Sequence, residues 1–289
     1  MAWRSIADLL GEEGEVALLG APMEAGSVTP GRCDLAPGVV RRALRRLSTY
    51  DVESGIEIVA AIHDLGDVAV QGVSPAEGFA PIRDAVALAT AAHDLTILLG
   101  GNNAVTRPAA HGLGLPLDRV GLITLDAHFD MRETEHGPIN GNPVRCLLED
   151  GLPGRNICQI GLAPFANTRK MHDDARAAGI GLFTIADCRA RGIGAVIAEA
   201  LAQVGRVDAL IADFDIDVID RAQLPGAPGA RPAGMAAEMF FEAARAIAAE
   251  PRVRVADLTE LDPSLDLSEV SALTAGRWVC ELLAGLSRR

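Results

Sequence analysis

Short apolar runs alternate along the chain with longer stretches in which apolar residues recur at helical spacing. Val16-Ala17-Leu18-Leu19-Gly20 reads as a buried strand closed by Gly20, Ala21 and Pro22. A loop rich in Gly, Ser and Pro follows, then a helix over 39–47 with arginines on its wet face. The pattern then predicts an Ala-rich helix over 80–92 and strands over 96–99, 120–125, 157–160 and 181–185. Beyond them come a helix over 193–204, a strand from 209–212 running into an Asp-rich end, and a helix over 236–249. A last strand over 253–258 precedes a C-terminal helix over 269–286. Strands alternating with helices imply βαβ units, a mostly parallel sheet and right-handed crossovers. The strands are apolar runs rather than alternating ones, so helices should cover both faces of the sheet. No internal repeat and no long linker interrupts the pattern, which predicts a single α/β domain over 1–289 in three layers. In such sheets ligands bind beyond the carboxyl ends of the strands.

Composition narrows the class. At 289 residues, 49% hydrophobic and 22% charged, the chain is globular and needs no disulfide staple. Aromatics are 3%, so the core must be aliphatic and there is no stacking platform for single-stranded nucleic acid. The net charge of -13, with no basic stripe, argues against any nucleic-acid partner. The same negative field repels anionic substrates, so an anion would need local arginines to receive it. Five widely spaced cysteines (33, 146, 158, 188 and 280), with no CxxC, fit reduced thiols in the cytosol. Met1-Ala2-Trp3-Arg4-Ser5 lacks the pattern of a secretory leader, and no apolar run is long enough for a membrane span.

Polar clusters close the strands. They are Leu99-Gly100-Gly101-Asn102-Asn103, Leu125-Asp126-Ala127-His128-Phe129-Asp130, Asp213-Phe214-Asp215-Ile216-Asp217 and Asp257-Leu258-Thr259-Glu260. Residues two apart on a strand share a face, so Asp126, His128 and Asp130 converge if the strand stays extended, as do Asp215 and Asp217. Four carboxylates in one crevice repel unless a cation holds them. With one imidazole they form an oxygen-rich set that suits Mn²⁺ ahead of Mg²⁺ or Zn²⁺. Four negative charges nearly neutralise two divalent ions, the size of a two-metal site. A lone Asp-x-Asp is more often a turn, and a structural, nonhydrolytic metal site is the alternative reading of the pair.

At these residues the chain resembles the arginase–agmatinase–formimidoylglutamase (ureohydrolase) superfamily over nearly its whole length. Gly20-Ala21-Pro22 with Gly31 and Pro37 resembles its N-terminal loop, and Gly100-Gly101-Asn102-Asn103 its Gly-Gly-Asp-His segment. Asp126-Ala127-His128-Phe129-Asp130 is the most specific signature. Asp215-Ile216-Asp217-Val218-Ile219-Asp220 and Glu260-Leu261-Asp262-Pro263 resemble the later motifs. The resemblance implies an arginase-like fold, two Mn²⁺ ions, and a homo-oligomer built on trimers. It implies that Asp126 and Asp215 bridge the metals, that Asp130 completes one shell with Asn103 beside it, and that His128 and Asp217 complete the other. A hydroxide held between the metals would be the nucleophile, and Glu260 would grip the substrate amidinium.

The departures point to one branch. Arginases and agmatinases carry a His where Asn140 stands in Ile139-Asn140-Gly141-Asn142-Pro143-Val144-Arg145, while formimidoylglutamases have Ser or Asn there. Asn103 stands where the family usually ligates through His, and an amide oxygen is the weaker donor. His136 is read as a loop residue outside the site. Arg132, two residues past Asp130, resembles the formimidoylglutamase pattern. The expected reaction is hydrolysis of N-formimino-L-glutamate to L-glutamate and formamide, with Asp130 as proton carrier. Arg132 and Arg145, with Asn140 and Asn142, are the expected substrate contacts; Arg231 and Asn167 are further candidates. A guanidine hydrolase acting on agmatine, a guanidino acid or a hydroxylated arginine is the rival enzyme. A degenerate, non-catalytic relative is the rival outside enzymes, with Asn103 and Asn140 as its grounds.

Overall fold

The computed structural model describes residues 3–289; Met1 and Ala2 of the N-terminal stretch lie outside them. The strands are β1 (Leu10–Gly11), β2 (Val16–Ala21), β3 (Tyr50–Asp51), β4 (Ile56–Glu57), β5 (Ile62–Asp67), β6 (Leu95–Gly100), β7 (Val120–Leu125), β8 (Ile157–Leu162), β9 (Gly181–Thr184), β10 (Ala209–Asp215) and β11 (Val253–Thr259). The helices are α1 (Ala36–Ala43), α2 (Pro75–Ala92), α3 (Thr106–His111), α4 (Pro143–Asp150), α5 (Arg169–Ala177), α6 (Ile185–Arg191), α7 (Ile193–Gln203), α8 (Ala237–Ala248) and α9 (Val270–Leu286). Nine strands form one sheet in the order β1-β5-β2-β6-β11-β10-β7-β8-β9, and each pairing in it is parallel. β3 and β4 make a separate antiparallel pair. The last strand of the chain, β11, thus lies between β6 and β10 at the centre of the sheet.

Parallel strands covered on both faces must be apolar throughout. Every residue of β2, β6, β7, β8 and β10 is buried. One face packs Val40 of α1, Val196 of α7, Phe240 of α8 and Trp278 of α9 against Leu18, Ile97, Leu210 and Phe214. Phe214 meets Phe240 and Trp278 edge-on at centroid distances of 5.6 and 5.3 Å, an arrangement the ring quadrupole favours. The other face packs Ile82 and Val86 of α2, Ala109 of α3, Val144 and Leu147 of α4 and Ala175 of α5. The aliphatic core expected from the low aromatic content is the one found.

Several bounds move for local reasons. The helix expected over 80–92 begins at Pro75, where Ser74 and Glu77 form a capping box, and it continues through Pro81. The helix expected over 39–47 is α1, starting at Ala36 with Pro37 in its first turn, and it ends in a 3₁₀ turn over Leu44–Arg46. β5 went unpredicted because His63, Asp64 and Asp67 break its apolar pattern; five of its six residues are partly or fully exposed beside the edge strand β1. α5 went unpredicted because Ala175 is its single buried residue.

Candidate active site

Asp126 follows the last residue of β7, and Asp215 is the last residue of β10. Neither chain stays extended past that point, which corrects the strand-alternation argument for convergence. Each aspartate instead folds the chain back on itself. Asp126 Oδ1 accepts the His128 N–H at 2.6 Å, and Asp215 Oδ1 accepts the Asp217 N–H at 2.9 Å. Both are Asx turns, in which a short carboxylate replaces a backbone acceptor. They return the side chain two residues on to the crevice. His128 Nδ1 lies 3.3 Å from Asp126 Oδ1 and 3.1 Å from Asp217 Oδ2. Ligand-type atoms of Asp126, His128 and Asp217 stand within 4.8 Å of one another. Gly229 covers them: a Cβ there would meet Asp217 Oδ2 at 1.9 Å and His128 Cε1 at 3.2 Å, so the loop must be glycine to approach so closely.

Asp130 completes the other side in the left-handed region, at φ 51°. Asn103 Nδ2 donates to Asp130 Oδ2 at 2.7 Å and lies 3.5 Å from Asp215 Oδ2, while Thr106 Oγ1 donates to Asn103 Oδ1 at 2.7 Å. The expected oxygen ligand is therefore turned the other way: Asn103 gives its NH₂ to the carboxylates, and its oxygen is taken by Thr106. Glu260, at φ 62°, follows β11 and is buried. Its Oε1 accepts the Asn103 N–H at 2.7 Å and Asn140 Nδ2 at 2.9 Å. Asn140 Oδ1 in turn accepts the Val28 N–H at 2.8 Å. Two of the five acidic site residues, Asp130 and Glu260, thus hold backbone conformations costing roughly 1–3 kcal/mol each, which persist only where surroundings over-determine them.

Burial dominates the electrostatics. Desolvation pushes Asp130 and Asp215 well above the usual carboxylate range, and neighbouring carboxylates push the same way. Burial raises Asp126 to about 6 and Glu260 to about 7. The Asp217 carboxylate facing His128 pushes the imidazole pKa up to about 12. Asp126 Oδ2 and Asp217 Oδ1 are buried without a hydrogen-bond partner. A crevice of crowded carboxylates with unpartnered oxygens and one imidazole fits divalent cations, since buried charges are tolerated only when paired or bound to metal. One pleat further in, Asp213 pairs in register with Asp257, and both are fully buried and raised by desolvation, Asp257 to about 7. They lie beneath this cluster, outside it.

The cleft above is lined by Val28, Thr29, His128, Asp130, Arg132, Asn140, Gly141, Ala166, Asn167, Met171, Asp215, Asp217, Pro228, Gly229, Arg231 and Glu260, around a volume of ≈ 130 Å³. Arg132 and Arg231 are exposed there, and neither guanidinium meets a carboxylate. Two expected substrate contacts are placed elsewhere. Asn142 is fully buried and holds the loop, accepting the Ile139 N–H and donating to the Glu133 and Gly137 carbonyls. Arg145, in the first turn of α4, is spent on Asp174 at 2.5 Å and the Met131 carbonyl. His136 is exposed and does not line the cleft. The reading of the sequence missed Met171, Val28 and Gly229; Gly229 stands in a Pro- and Gly-rich run after the second aspartate motif, which was the signal available.

Known proteins share this fold. The formimidoylglutamase of Halalkalibacterium halodurans is 32% identical over 274 residues, spanning 93% of this chain and 86% of that protein. The crystal structure of formimidoylglutamase from Bacillus subtilis superposes with a TM-score of 0.92 at 27% identity, covering 98% of this chain and 92% of that one. A crystal structure of Trypanosoma cruzi formiminoglutamase with Mn²⁺ shares the fold, with a TM-score of 0.91 at 22% identity and complete coverage of both chains. A model of the arginase family matches residues 14–285, a stretch that carries all of the sheet but its edge strand β1 and every strand-end carboxylate, and the chain belongs to that family.

Proposed function

We propose that the chain hydrolyses N-formimino-L-glutamate to L-glutamate and formamide. The observation that carries this reading is the polarity of the cleft. Its floor is carboxylate, and the two guanidiniums at its mouth, Arg132 and Arg231, have no acidic partner. A cationic amidine head on a dicarboxylate tail matches that gradient, and planar Arg forks suit carboxylates. The names of the relatives support the same substrate.

Asp126, His128, Asp130, Asp215 and Asp217 would hold the Mn²⁺ ions. Bound there, the ions lower the pKa of water to near neutrality and stabilise charge developing on the amidine carbon. Glu260 Oε1 is occupied by Asn103 and Asn140, which leaves Oε2 for the substrate amidinium. Water oxygen adds to the amidine carbon, the bond from that carbon to the glutamate nitrogen breaks, and Asp130 carries the proton to the departing nitrogen. Arg132 and Arg231 hold the glutamate part still, and Asn140 acts through Glu260. We read residues 1–289 as one domain of a trimer-based homo-oligomer. The five cysteines are all free and buried, which supports the cytosol as its compartment. No described helix is long and apolar enough to cross a membrane.

The test is a substrate panel on protein supplied with Mn²⁺. Glutamate should be released from N-formimino-L-glutamate faster than urea from arginine, agmatine or a guanidino acid. A preference for agmatine would overturn the reading in favour of a guanidine hydrolase, and no turnover of any member with metal bound would make the chain a non-catalytic relative.

A further inference from the structure

The segment 126–130 carries Asp126, His128 and Asp130, yet it is neither strand nor helix. Its peptide groups must find partners outside regular structure. Asn167 supplies them. Its Nδ2 donates to the Ala127 carbonyl at 2.9 Å, and its Oδ1 accepts the Phe129 N–H at 2.9 Å. The amide therefore grips the peptides on either side of His128, as a neighbouring strand would. Gln159, on β8, donates Nε2 to the Phe129 carbonyl at 2.9 Å from the other side. Asn167 is itself fixed. It precedes Thr168, whose hydroxyl caps α5 by accepting the Met171 N–H at 3.2 Å. The Phe129 ring also stacks on His172 of the same helix at 5.7 Å.

The cleft-lining position of Asn167 invites a substrate role, but both ends of its amide are already committed to backbone. We infer that Asn167 is a positioning residue, whose amide holds the backbone that aims His128 and Asp130 at the metals. A clamp on both flanking peptides fixes the direction of His128 and supports the left-handed turn at Asp130. Ligand direction, set by neighbours that touch no metal, typically changes metal affinity 10–100-fold.

The inference rests on the assignment of Asp126, His128, Asp130, Asp215 and Asp217 as metal ligands, and the experiment separates the two. Wild type, Asn167→Ala and Asn167→Asp are stripped, checked for folding by circular dichroism, and titrated with Mn²⁺ by calorimetry. Each is then loaded with Co²⁺ and its visible absorption recorded. Asn167→Ala should bind Mn²⁺ roughly 10–100-fold more weakly, with an altered Co²⁺ spectrum. Asn167→Asp keeps the acceptor for the Phe129 N–H and the side-chain volume but loses the donor to Ala127. It should fold as wild type does and fall between the two in affinity, and it decides the matter if the alanine variant does not fold. Wild-type affinity and spectrum in the folded variants, with a raised KM, would overturn the clamp and make Asn167 a substrate contact. Wild type that binds no Mn²⁺ would overturn the ligand assignment itself.

Discussion

Around Asp126, His128 and Asp217, three ligand-type atoms gather within 4.8 Å, and an imidazole lies between two carboxylates. Around Asp130 and Asp215, the place of a second imidazole is taken by Asn103, whose NH₂ donates to Asp130 and whose oxygen is held by Thr106. Asx turns at the ends of β7 and β10 present His128 and Asp217 to the first side, whereas Asp130 reaches the second from a left-handed backbone. The two sides also differ in what they offer a cation. The first side offers nitrogen and oxygen. The second offers carboxylate oxygen from a carboxylate that a neutral amide has partly satisfied. Neighbouring sites therefore need not be equal: the donor that faces the crevice decides, and its orientation is set by a residue that never reaches the metal.

The largest expected effect tests whether substrate grip is separable from either side. Glu260→Gln removes one partner of a buried charge pair, a loss of ~2–5 kcal/mol. At ~1.4 kcal/mol per tenfold, kcat/KM should fall between roughly thirtyfold and a few thousandfold. Mn²⁺ content should stay at the wild-type value on both sides. Steady-state kinetics beside metal analysis checks this, and unchanged kinetics would place Glu260 outside the reaction.

Next in size is the asymmetry itself. Calorimetric titration of stripped protein should resolve one tighter and one weaker Mn²⁺ site, with activity regained as the weaker one fills. Asn103→His should tighten the weaker site alone, by roughly tenfold, since ligand-shell changes act on this scale. Anomalous diffraction would locate both ions. Equal affinities in the wild type would break the comparison. If Asn103 merely closes the turn after Gly100-Gly101, the substitution would leave affinity alone and lower the melting temperature.

Thr106→Val sharpens the same contrast with a smaller effect. It keeps the volume and removes the hydroxyl that holds Asn103 Oδ1. Stability should fall by ~1 kcal/mol, the net worth of one hydrogen bond. Any change in Mn²⁺ affinity should be confined to the Asn103 side; a change on the His128 side would show the halves are coupled. The smallest effect belongs to Arg145→Met. Because the guanidinium is committed to Asp174 and the Met131 carbonyl, KM for N-formimino-L-glutamate should stay within about twofold, inside the range of ordinary surface changes. A large rise in KM would return Arg145 to the substrate.

How far the sequence reaches is visible in the same residues. β7 falls on the expected 120–125, and β6, β10 and β11 are within a few residues of expectation, because a strand buried on both faces leaves an uninterrupted apolar run. The strand-end carboxylates were legible for the complementary reason: charges that directly follow an apolar run stand out against it. What a linear reading lacks is direction. It placed Arg145 at the substrate as a fork for carboxylates, with Asn142 of the same run beside it, but helix α4 starts between them and turns Arg145 to Asp174. It gave Asn103 the correct place and the opposite amide face, since the orienting Thr106 lies a turn away on α3. It explained convergence by extended strands where the chain uses Asx turns. Asn167 was noted at the rim, but its partners are peptide groups, which leave no mark in the side-chain pattern.

The central place of β11 has a consequence for how the molecule is made. A chain emerging from the ribosome can pair β2 with β6, and then β7 with β10, before residue 253 emerges. Until β11 slides in between β6 and β10, those two half-sheets share no strand. Asn103 then rides on one half, and Asp126, His128, Asp130, Asp215 and Asp217 on the other. Parallel pairings across such sequence distances form late and slowly. A nascent chain thus exposes the strand-end aspartates of β7 and β10 before Glu260 emerges, so these carboxylates can gather before the substrate grip is assembled. Metal available during translation would then favour the half-sheet that already holds the ligands, and binding energy would feed directly into folding.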